Sequence, residues 1–546
     1  MIPAARQALS MGFSPFRVHL ASSLYQYAES LNEELFWLLL HVAEQAGNGH
    51  LCTKLDTIAE DMAVYGDEIP LIKLLAYLND LLSHGIKAGL IGRLEAEDAP
   101  ADSLPFNSQG MRPPLVLGAD GGHLYFLRRR REEDNFLAML CARAHSGSPP
   151  PSSTDTANPA QALAAMYHSG RKIMLLTGGP GTGKTTAIAK LIQQLGPDCR
   201  IKLAAPTGRA ASRLAENIPG LQGHTLHRLL GIVPGRGARH NPHNPLEADL
   251  VIVDEASMVD LPLMNTLLRG LAPRTALLLS GDPDQLPSVE AGALLGDILA
   301  GAQLAAEKGI TGLLSGAVIQ LGKVYRSNTA VLKAAAAVRS GSMEHFMAAI
   351  DGEALTLTPM SRPEQLAARL AAAYRRRPGS LDAFSALTPL RRGPWGVPAM
   401  NDHISRFMNK STLPFPGMPI AVTHNDASRS LWNGDRAILR GENSRLRAAF
   451  PNREHPLAVL PGWEPAWIQT IHRGQGSEFD AVAVILPEGA DRLLTREILY
   501  TAITRAKHKV EIFADETTLA ATLNNKVVRN SRIRGVLARP ACTSSL

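Results

Sequence analysis

The sequence has few of the features that mark secreted, membrane-spanning or zinc-ribbon proteins. Its 546 residues contain four cysteines, which are far apart and form no CxxC pair, so a disulfide framework and a zinc ribbon are excluded. No apolar run approaches the roughly 18 residues of a membrane span, and the N-terminus has no basic stretch followed by a long apolar run. The formal net charge of +6 permits a polyanionic partner without requiring one. We therefore expect a cytoplasmic protein that does not associate with membranes.

Changes in composition and in the spacing of apolar residues divide the chain into four parts: 1–110, 111–157, 158–335 and 336–546. The first part shows helical patterning, with Leu35, Leu38, Leu39 and Val42 spaced to bury one face of a helix. The second part holds two short apolar runs at 114–117 and 123–127 that predict strands, and four consecutive arginines at 128–131. We expect the arginines to form a solvated or partner-facing edge. A Pro- and Ser-rich linker at 145–160 closes this part.

Beyond the linker, short apolar runs alternate with helical stretches, which predicts an α/β fold. The first set of runs lies at 173–177, 201–205, 250–253 and 276–280, and the second at 383–387, 481–486 and 509–513. Strands that alternate with helices form parallel sheets, and such sheets bind their ligands at the carboxyl ends of the strands. We therefore expect two α/β lobes with functional residues just after their strands.

Residues 178–185 read GGPGTGKT, which is a complete phosphate-binding loop of the form GxxxxGK[ST]. A predicted strand enters the loop and a predicted helix leaves it, as backbone cradling of phosphates requires. We expect Lys184 to reach the β- and γ-phosphates of a nucleotide and the Thr185 hydroxyl to bind Mg²⁺.

Acidic and amide side chains follow the next strands. Asp254 and Glu255 end the apolar run at 250–253, and Gln285 follows the run at 276–280. A carboxylate opposite a phosphate loop can hold Mg²⁺, and its neighbour can orient or deprotonate the attacking water. We assign the metal to Asp254, the water to Glu255 and a contact with the γ-phosphate to Gln285.

Two arginines stand in positions that leave two interpretations open. Arg326 and Arg505 would stabilise charge on the transferring phosphoryl group if a domain cleft brought them to it. Spacing alone favours the other interpretation for both, which is a surface or salt-bridged arginine. The residues by themselves therefore predict an ATPase with two α/β lobes.

The motifs in their order resemble those of superfamily 1 helicases, and more narrowly those of the RecD family, the alpha subunits of exodeoxyribonuclease V (the RecBCD helicase–nuclease). The narrower likeness rests on 224–231, 387–397 and 433–435. The wider series consists of 158–161, the phosphate loop, 205–211, 254–260, 281–286, 325–327, 470–479 and 500–507.

This resemblance implies two RecA-like P-loop lobes, with small β inserts at about 217–249 and 433–463 and a mainly helical N-terminal domain before them. ATP and Mg²⁺ would lie between the lobes, with Mg²⁺ on Thr185 and Asp254, and Arg326 and Arg505 would complete the catalytic set of Lys184, Asp254, Glu255 and Gln285. Gln161 would contact adenine. The implied nucleotide-binding residues are Gln161, Gly178, Gly179, Pro180, Gly181, Thr182, Gly183, Lys184, Thr185 and Thr186.

The resemblance also implies an ATP-dependent DNA helicase that acts on single- and double-stranded DNA in the 5′-to-3′ direction. It would be one subunit of a heterotrimer with the beta and gamma subunits, would unwind DNA ends in recombinational double-strand break repair, and would use residues 1–110 to dock on the gamma subunit. Gly474 stands where the family usually has Ser or another polar residue, so we expect DNA–ATP coupling in that motif to differ slightly. The implied DNA contacts are Pro206, Thr207, Arg209, Thr470, His472 and Gln475.

Two other interpretations stay open at this stage. The chain could be a stand-alone or RNA-acting superfamily 1 helicase, or a mainly regulatory binding subunit of the nuclease complex, although the intact motor residues argue against the last. No clustered carboxylate site indicates a nuclease centre, so we expect nuclease activity to belong to a partner chain. We expect the basic C-terminal residues to form a solvated tail; these are Lys526, Arg529, Arg532, Arg534 and Arg539.

Overall fold

The structure is a computed structural model of the chain, and it describes most of the 546 residues. The described ranges are 2–28, 33–63, 78–107, 110–144, 158–233, 235–322, 329–377, 379–409, 414–429, 431–442, 445–451, 453–490 and 493–540. Within these ranges, no helix has both the length and the apolar character needed to cross a membrane.

The N-terminal region combines helices with a four-stranded mixed sheet in the order β1-β4-β3-β2. Its central helix was predicted to bury one face, but Phe36 and Trp37 are buried as well. Tyr25 and Phe13 pack edge-on against these two rings from a second side, so the helix is covered nearly all round. The elements are α1 (Pro3–Ser10), α2 (Pro15–Tyr27), α3 (Glu33–Gly47), β1 (Thr53–Lys54), α4 (Ile58–Ala63), α5 (Leu78–Lys87), β2 (Ile91–Arg93), β3 (Leu115–Leu117), β4 (His123–Phe126) and α6 (Leu127–Ala144).

The four-arginine run begins α6, and the prediction of a solvated edge is wrong for Arg130. Its side chain is buried, with the guanidinium over the Tyr125 ring. It donates to Asp134 at 2.9 Å and to the carbonyls of Glu97 and Ala99 at 3.1 Å. The predicted edge survives only at the other positions of the run, because one position per helical turn faces the protein.

The first lobe is built on a six-stranded parallel sheet in the order β12-β5-β11-β10-β6-β7. The central strands β5, β10 and β11 are buried along their whole length, as expected for a sheet covered by helices on both faces. Its elements are α7 (Pro159–His168), β5 (Ile173–Gly178), α8 (Lys184–Leu195), β6 (Ile201–Ala205), α9 (Gly208–Glu216), β7 (Gly223–Thr225), α10 (Leu226–Leu230), β8 (Ile232–Val233), β9 (Gly237–Ala238), β10 (Leu250–Val253), α11 (Leu261–Gly270), β11 (Ala276–Gly281), α12 (Leu294–Glu307) and β12 (Val318–Leu321).

The segment 217–249 contains one strand of the main sheet and one small hairpin. β7 pairs in parallel with β6, so it belongs to the lobe itself. β8 and β9 pair antiparallel over two residues each. The hairpin is the β element of this segment, and a role for it in splitting duplex DNA stays a prediction.

The second lobe has a five-stranded parallel sheet, β13-β22-β21-β14-β20, and a five-stranded antiparallel sheet, β18-β17-β16-β15-β19. The antiparallel sheet begins at Pro419, earlier than the predicted 433–463, because β15 pairs with both β16 and β19. The elements are α13 (Thr329–Ser340), α14 (Met343–Ala349), β13 (Leu355–Thr358), α15 (Pro363–Arg375), β14 (Phe384–Thr388), α16 (Val397–Met408), β15 (Pro419–Val422), β16 (Arg436–Arg440), β17 (Arg447–Phe450), β18 (Arg453–Pro456), β19 (Trp463–Pro465), β20 (Ile468–Thr470), α17 (Ile471–Gly474), β21 (Phe479–Ile485), α18 (Arg496–Ile503), β22 (Ala506–Phe513), α19 (Glu516–Asn524) and α20 (Ile533–Leu537).

The chain does not end on the second lobe. Residues 525–540, called here the return segment, run back over the first lobe, where α20 packs so closely on α12 that a Cβ on Gly301 would lie 2.7 Å from that of Leu537. Arg529 donates to the carbonyls of Glu290 and Gly292 at 2.7 Å. The prediction of a solvated basic tail is therefore wrong for Arg529, since its guanidinium is fixed by first-lobe carbonyls. It is also wrong for Arg532, which is paired with the fully buried Glu133.

Candidate nucleotide and nucleic-acid site

The phosphate loop joins the buried strand β5 to the N-terminus of α8. Gly181 and Gly183 adopt left-handed backbone angles, with φ of 73° and 88°, which glycine accepts without steric cost. A Cβ on Gly178 would lie 2.7 Å from the Thr182 hydroxyl and 3.0 Å from Leu321, so the first glycine is required by close packing. The loop thus has the backbone shape with which such sequences surround phosphate.

Lys184 closes the loop with its ammonium group. Its Nζ donates to the carbonyl oxygens of Gly178 at 2.6 Å and Gly179 at 3.1 Å. The Thr182 hydroxyl also donates to the Gly179 carbonyl, at 2.7 Å. The ammonium is therefore held at the mouth of the loop, where phosphate oxygens of a nucleotide would be its stronger, charged acceptors.

The two acidic residues occupy the end of β10 in different ways. Asp254 accepts a hydrogen bond from the Ser280 hydroxyl at 2.8 Å, which fixes its carboxylate beside β11. Glu255 has φ of 53° and is the one non-glycine residue with a positive φ among the described residues. Such backbone strain persists only where surrounding structure enforces it, and it concentrates at functional sites.

The pKa of the Glu255 carboxyl group is set by opposing electrostatic effects. Burial and then the negative charge of Asp254 raise the pKa of Glu255, while the positive charges of Arg505, Lys184 and Arg213 act to lower it. A carboxylate with a raised pKa is a stronger proton acceptor than a solvated one, which suits Glu255 to activating a water molecule.

Gln285 lies buried in the same cleft. Its Nε2 donates to Asp282 at 3.1 Å, and Asp282 in turn accepts a hydrogen bond from the hydroxyl of Tyr500 in the second lobe, also at 3.1 Å. The Gln285 Oε1 is buried and has no hydrogen-bond partner among the described residues. Because an unpaired buried acceptor is costly, this oxygen is suited to accept from a water molecule or ligand in the cleft.

Further hydrogen bonds tie the same loop to the second lobe. Leu286 N donates to the Thr501 hydroxyl at 2.9 Å, and Gln475 Nε2 donates to the Leu286 carbonyl at 3.3 Å. Gln475 is thus buried at the contact between the lobes, and its role as a DNA contact stays a prediction.

Arg505 enters the cleft from the second lobe, as the family resemblance implied. It is only 2% exposed, and it donates to the carbonyls of Thr501 at 3.2 Å and Ser477 at 3.3 Å. Burial lowers the pKa of Arg505, and the charge of Glu255 opposes that effect. Arg505 lines one cleft with Lys184, which is where a cation would stabilise the transferring phosphoryl group. The prediction for Arg326 lies outside the described residues.

The other predicted nucleotide-binding residues divide into two groups. Thr185 and Thr186 line the cleft at the first turn of α8. Gln161 is exposed on the first turn of α7, where its backbone N–H donates to the capping side chain of Asn158. Since Gln161 does not line the cleft formed by the described residues, its contact with adenine stays a prediction.

The predicted DNA-contacting residues lie at two helix N-termini. The Thr207 and Thr470 hydroxyls cap α9 and α17, each accepting a backbone N–H at 3.3 Å. Pro206 precedes the first cap. His472 follows the second, and burial followed by the charge of Arg529 lowers its pKa.

Arg209, in the first turn of α9, faces the second lobe. Its guanidinium lies 5.9 Å from the centre of the Phe479 ring and 3.9 Å from the Asp382 carboxylate. Beside it, the half-buried Trp432 packs on Gly208 so closely that a Cβ there would lie 2.9 Å from the ring. The start of α9 is therefore a point of contact between the lobes as well as a predicted DNA contact.

Sequence reasoning missed one cationic residue of the cleft, Arg213. It lies four residues after Arg209 on α9, lines the cleft with the phosphate loop, and forms an ion pair with Glu478 of the second lobe. The i, i+4 spacing of the two arginines placed them on one helix face, but nothing in the local sequence pointed to a partner 265 residues away.

The residues fit a nucleotide with a bound magnesium ion. Within the described residues, no group of three or more His, Cys, Asp or Glu side chains is arranged to hold a metal by itself. Mg²⁺ at nucleotide sites uses one or two protein ligands together with phosphate oxygens and water. Thr185 and Asp254 provide that number of ligands.

A phosphate loop and two carboxylates from one lobe, completed by an arginine from the other, define a two-lobed P-loop NTPase. Residues 161–291 match the family described as an AAA domain, and residues 465–512 match the UvrD-like helicase C-terminal domain. These two matches cover the loop and carboxylates in one lobe and Arg505 in the other.

Comparison with curated proteins gives the family. The chain is 36% identical to the RecBCD enzyme subunit RecD of Mycolicibacterium smegmatis, over 79% of this chain and 85% of that protein. It is 31% identical to the same subunit of Haemophilus influenzae, over 66% and 70%. The chain belongs to the RecD family.

Two further likenesses are more partial. The ATP-dependent RecD2 DNA helicase of Deinococcus radiodurans is 36% identical over 62% of this chain and 47% of its own length. The crystal structure of Bacteroides Pif1 bound to single-stranded DNA aligns with 67% of this chain and 94% of its own, at 17% identity and a TM-score of 0.41.

Proposed function

We propose that the chain is the 5′-to-3′ DNA motor of a RecBCD-type enzyme and unwinds DNA ends in recombinational double-strand break repair. Membership of the RecD family supports the core of this function: the chain is an ATP-hydrolysing DNA helicase and a subunit that assembles with RecB and RecC, the beta and gamma subunits. The direction of movement and the role in repair are what the proposal adds.

One observation carries the motor function. Lys184 and Glu255 of the first lobe line a single cleft with Arg505 of the second lobe. A hydrolytic step that needs groups from both lobes is sensitive to the distance between them, so nucleotide binding and release can drive their relative movement. A protein that only bound DNA would not need a strained, buried glutamate opposite a phosphate loop.

The chain's own residues divide the hydrolytic work among them. Lys184 binds the β- and γ-phosphates, Glu255 orients and deprotonates water, and Arg505 stabilises charge on the transferring group. Thr185 and Asp254 would hold Mg²⁺, which when bound neutralises phosphate charge. We include Gln285 as the contact that reports the state of the γ-phosphate to Tyr500 through Asp282.

DNA is proposed to cross both lobes along the two capped helix starts at Thr207 and Thr470. Arg209 and His472 stand beside these caps, and Pro206 shapes the first of them. Binding there would rest mainly on phosphate contacts and fall steeply with salt. The proposal includes a cytoplasmic location, with which Cys52, Cys141 and Cys199 are compatible because they form no disulfide bond.

The first experiment measures ATP hydrolysis by the purified chain with and without single-stranded DNA. Lys184→Gln should abolish a DNA-stimulated rate, because it removes the cation of the phosphate loop. Lys190→Gln is the matched control, since Lys190 is exposed on the same helix. Unwinding of duplexes with a 5′ or a 3′ single-stranded tail then tests direction, and preference for the 3′ tail would contradict the proposal.

The same assay decides between the motor and the open alternatives. A chain that hydrolyses no ATP alone but does so after addition of the beta and gamma subunits would still be a motor, provided that Lys184→Gln lowers the rate of the complex. A rate unchanged by Lys184→Gln in that complex would make the chain a regulatory subunit. Stable activity without any partner binding in gel filtration would favour a stand-alone helicase.

A further inference from the structure

Arg213 connects the nucleotide cleft with the second lobe through one guanidinium group. Its Nη2 lies 2.5 Å from Glu478 Oε1 of the second lobe, and its Nη1 donates to the Gly476 carbonyl at 3.4 Å. The same side chain lines the cleft that contains the phosphate loop. Arg213 therefore lies between the nucleotide cleft and the loop 476–478 of the second lobe.

The electrostatic surroundings of Arg213 come from both sides. Burial acts to lower its pKa, but the charge of Glu478 and the hydrogen bond to it, followed by the charges of Glu255 and Asp254, raise the pKa overall. Arg213 is among the cations that act on Glu255. The guanidinium thus interacts with the second lobe and with the catalytic carboxylates at the same time.

Helix α9 carries Arg213 and also the predicted DNA contacts. Thr207 caps the helix and Arg209 begins it, one turn before Arg213. The second lobe packs on the same turn, since a Cβ on Gly476 would lie 3.4 Å from that of Ala210. A displacement of α9 by DNA would therefore be transmitted to Arg213 by a rigid turn of helix.

We propose that Arg213 is a positioning residue that couples DNA binding at the start of α9 to the nucleotide cleft. It does so by holding Glu478 of the second lobe across that cleft. The inference rests on the proposed function and deepens it. Without nucleotide, the guanidinium binds Glu478. With nucleotide, the polyphosphate competes with Glu478 for the same guanidinium, so the two ligand states favour different lobe arrangements.

Thermodynamic coupling is the direct readout of this role. The affinity of the full chain for a fluorescein-labelled oligo(dT) is measured by anisotropy, with and without a non-hydrolysable ATP analogue. In the unsubstituted chain we expect the analogue to change DNA affinity by about fivefold or more, within the usual range of allosteric coupling. Arg213→Gln and Glu478→Gln should each bring that ratio to within about twofold of one.

Two controls separate coupling from general damage. Arg200→Gln removes an arginine from the same lobe, where Arg200 pairs with Asp249 at 2.8 Å far from the cleft, and should leave the ratio unchanged. Arg213→Lys keeps a cation that can pair with Glu478 or with phosphate, so it should restore part of the coupling that Arg213→Gln loses, as a mere packing role would not. A lysine variant no better than Arg213→Gln would overturn the proposal.

The possible failures are distinguishable. If the unsubstituted chain responds to the analogue and Arg213→Gln responds equally, the inference is wrong while the motor function stands. If Arg213→Gln loses DNA affinity without any nucleotide, Arg213 is a DNA contact and the inference is again wrong. If the unsubstituted chain neither hydrolyses ATP with DNA nor shows coupling, the proposed function fails and the inference fails with it.

Discussion

Glu255 is held in an unfavourable state by both its backbone and its surroundings. Its φ of 53° costs about 1–3 kcal/mol for a residue with a side chain, and burial beside Asp254 disfavours its charge. The side chain of Glu255 makes no capping hydrogen bond to the 3₁₀ turn that follows it, and the nearby cations offset only part of the electrostatic cost. The pattern is that of a residue kept for chemistry at the expense of stability.

Glu255→Gln should therefore slow hydrolysis and stabilise the fold. We expect the DNA-stimulated rate to fall by about 10²–10⁴, the usual contribution of a general base, while ATP still binds. Since the pKa of Glu255 is raised in the fold, its ionised form costs stability above the ordinary glutamate pKa of about 4.3. The variant should thus be more stable than the unsubstituted chain at pH 8, and the difference should shrink as the pH falls toward 4.

Steady-state kinetics, nucleotide binding and chemical unfolding at several pH values test this prediction together. An equal loss of stability and activity would mean that Glu255 supports the fold instead. A variant with unchanged hydrolysis would move the water-activating role to another group of the cleft.

The elements that the sequence predicted well are those with contiguous signals. The phosphate loop is recognised from its spaced glycines and its lysine. The strands predicted at 114–117 and 123–127 are observed at Leu115–Leu117 and His123–Phe126. The α/β fold class is confirmed, because its strands are continuous apolar runs.

The elements that the sequence did not predict depend on partners far along the chain. Arg532 looked like part of a solvated tail, yet its backbone N–H and Nε donate to Glu133 at 3.0 and 3.1 Å, some 400 residues away. Arg213 and Glu478, which form an ion pair, are 265 residues apart. Charge patterning indicates that a residue is polar, but only tertiary structure decides which carboxylate it meets.

Arg532→Gln should destabilise the protein through the carboxylate that it leaves behind. Glu133 is fully buried, and removal of the partner from a buried ion pair costs about 3–5 kcal/mol. Arg534→Gln is the control, because Arg534 is exposed in the first turn of α20, two residues after Arg532. We expect chemical unfolding to show a loss near this size for Arg532→Gln and a change below about 0.5 kcal/mol for the control.

Addition of Glu133→Gln to Arg532→Gln should recover part of the loss, because the double variant buries no unpaired charge. Equal stability of Arg532→Gln and Arg534→Gln would show that the return segment contributes little to the fold.

At the scale of the molecule, the return segment connects three bodies: the N-terminal region, the first lobe and the second lobe. The return segment leaves the second lobe, packs on α12 of the first and reaches the N-terminal region, where Leu51 N donates to the Asn530 carbonyl at 3.0 Å. Asn530 N donates in turn to His50 Nδ1 at 3.0 Å. Movement of the second lobe is therefore connected to the region predicted to dock on the gamma subunit, and the three bodies should not be treated as independent modules.

The junction of these bodies should be sensitive to acid through His50. Burial and then the charge of Arg529 lower the pKa of His50 to about 4, so the neutral ring that accepts from Asn530 is favoured in the fold. The unfolded chain binds its proton at about pH 6.5. His50 therefore contributes stability that is present above pH 6.5 and is lost as the pH falls toward 4, by at most about 1.4 kcal/mol per pH unit.

Other buried groups titrate in this range with the opposite sign, above all Asp297, whose pKa burial raises to about 7, so the test must be a difference. His50→Gln keeps an acceptor for Asn530 but cannot be protonated. The free energy of unfolding of the unsubstituted chain should fall relative to that of His50→Gln by up to about 3 kcal/mol between pH 6.5 and 4. Parallel pH profiles for the two proteins would contradict a neutral His50 at the junction, and His41, whose pKa is likewise lowered to about 4, would be the next residue to exchange.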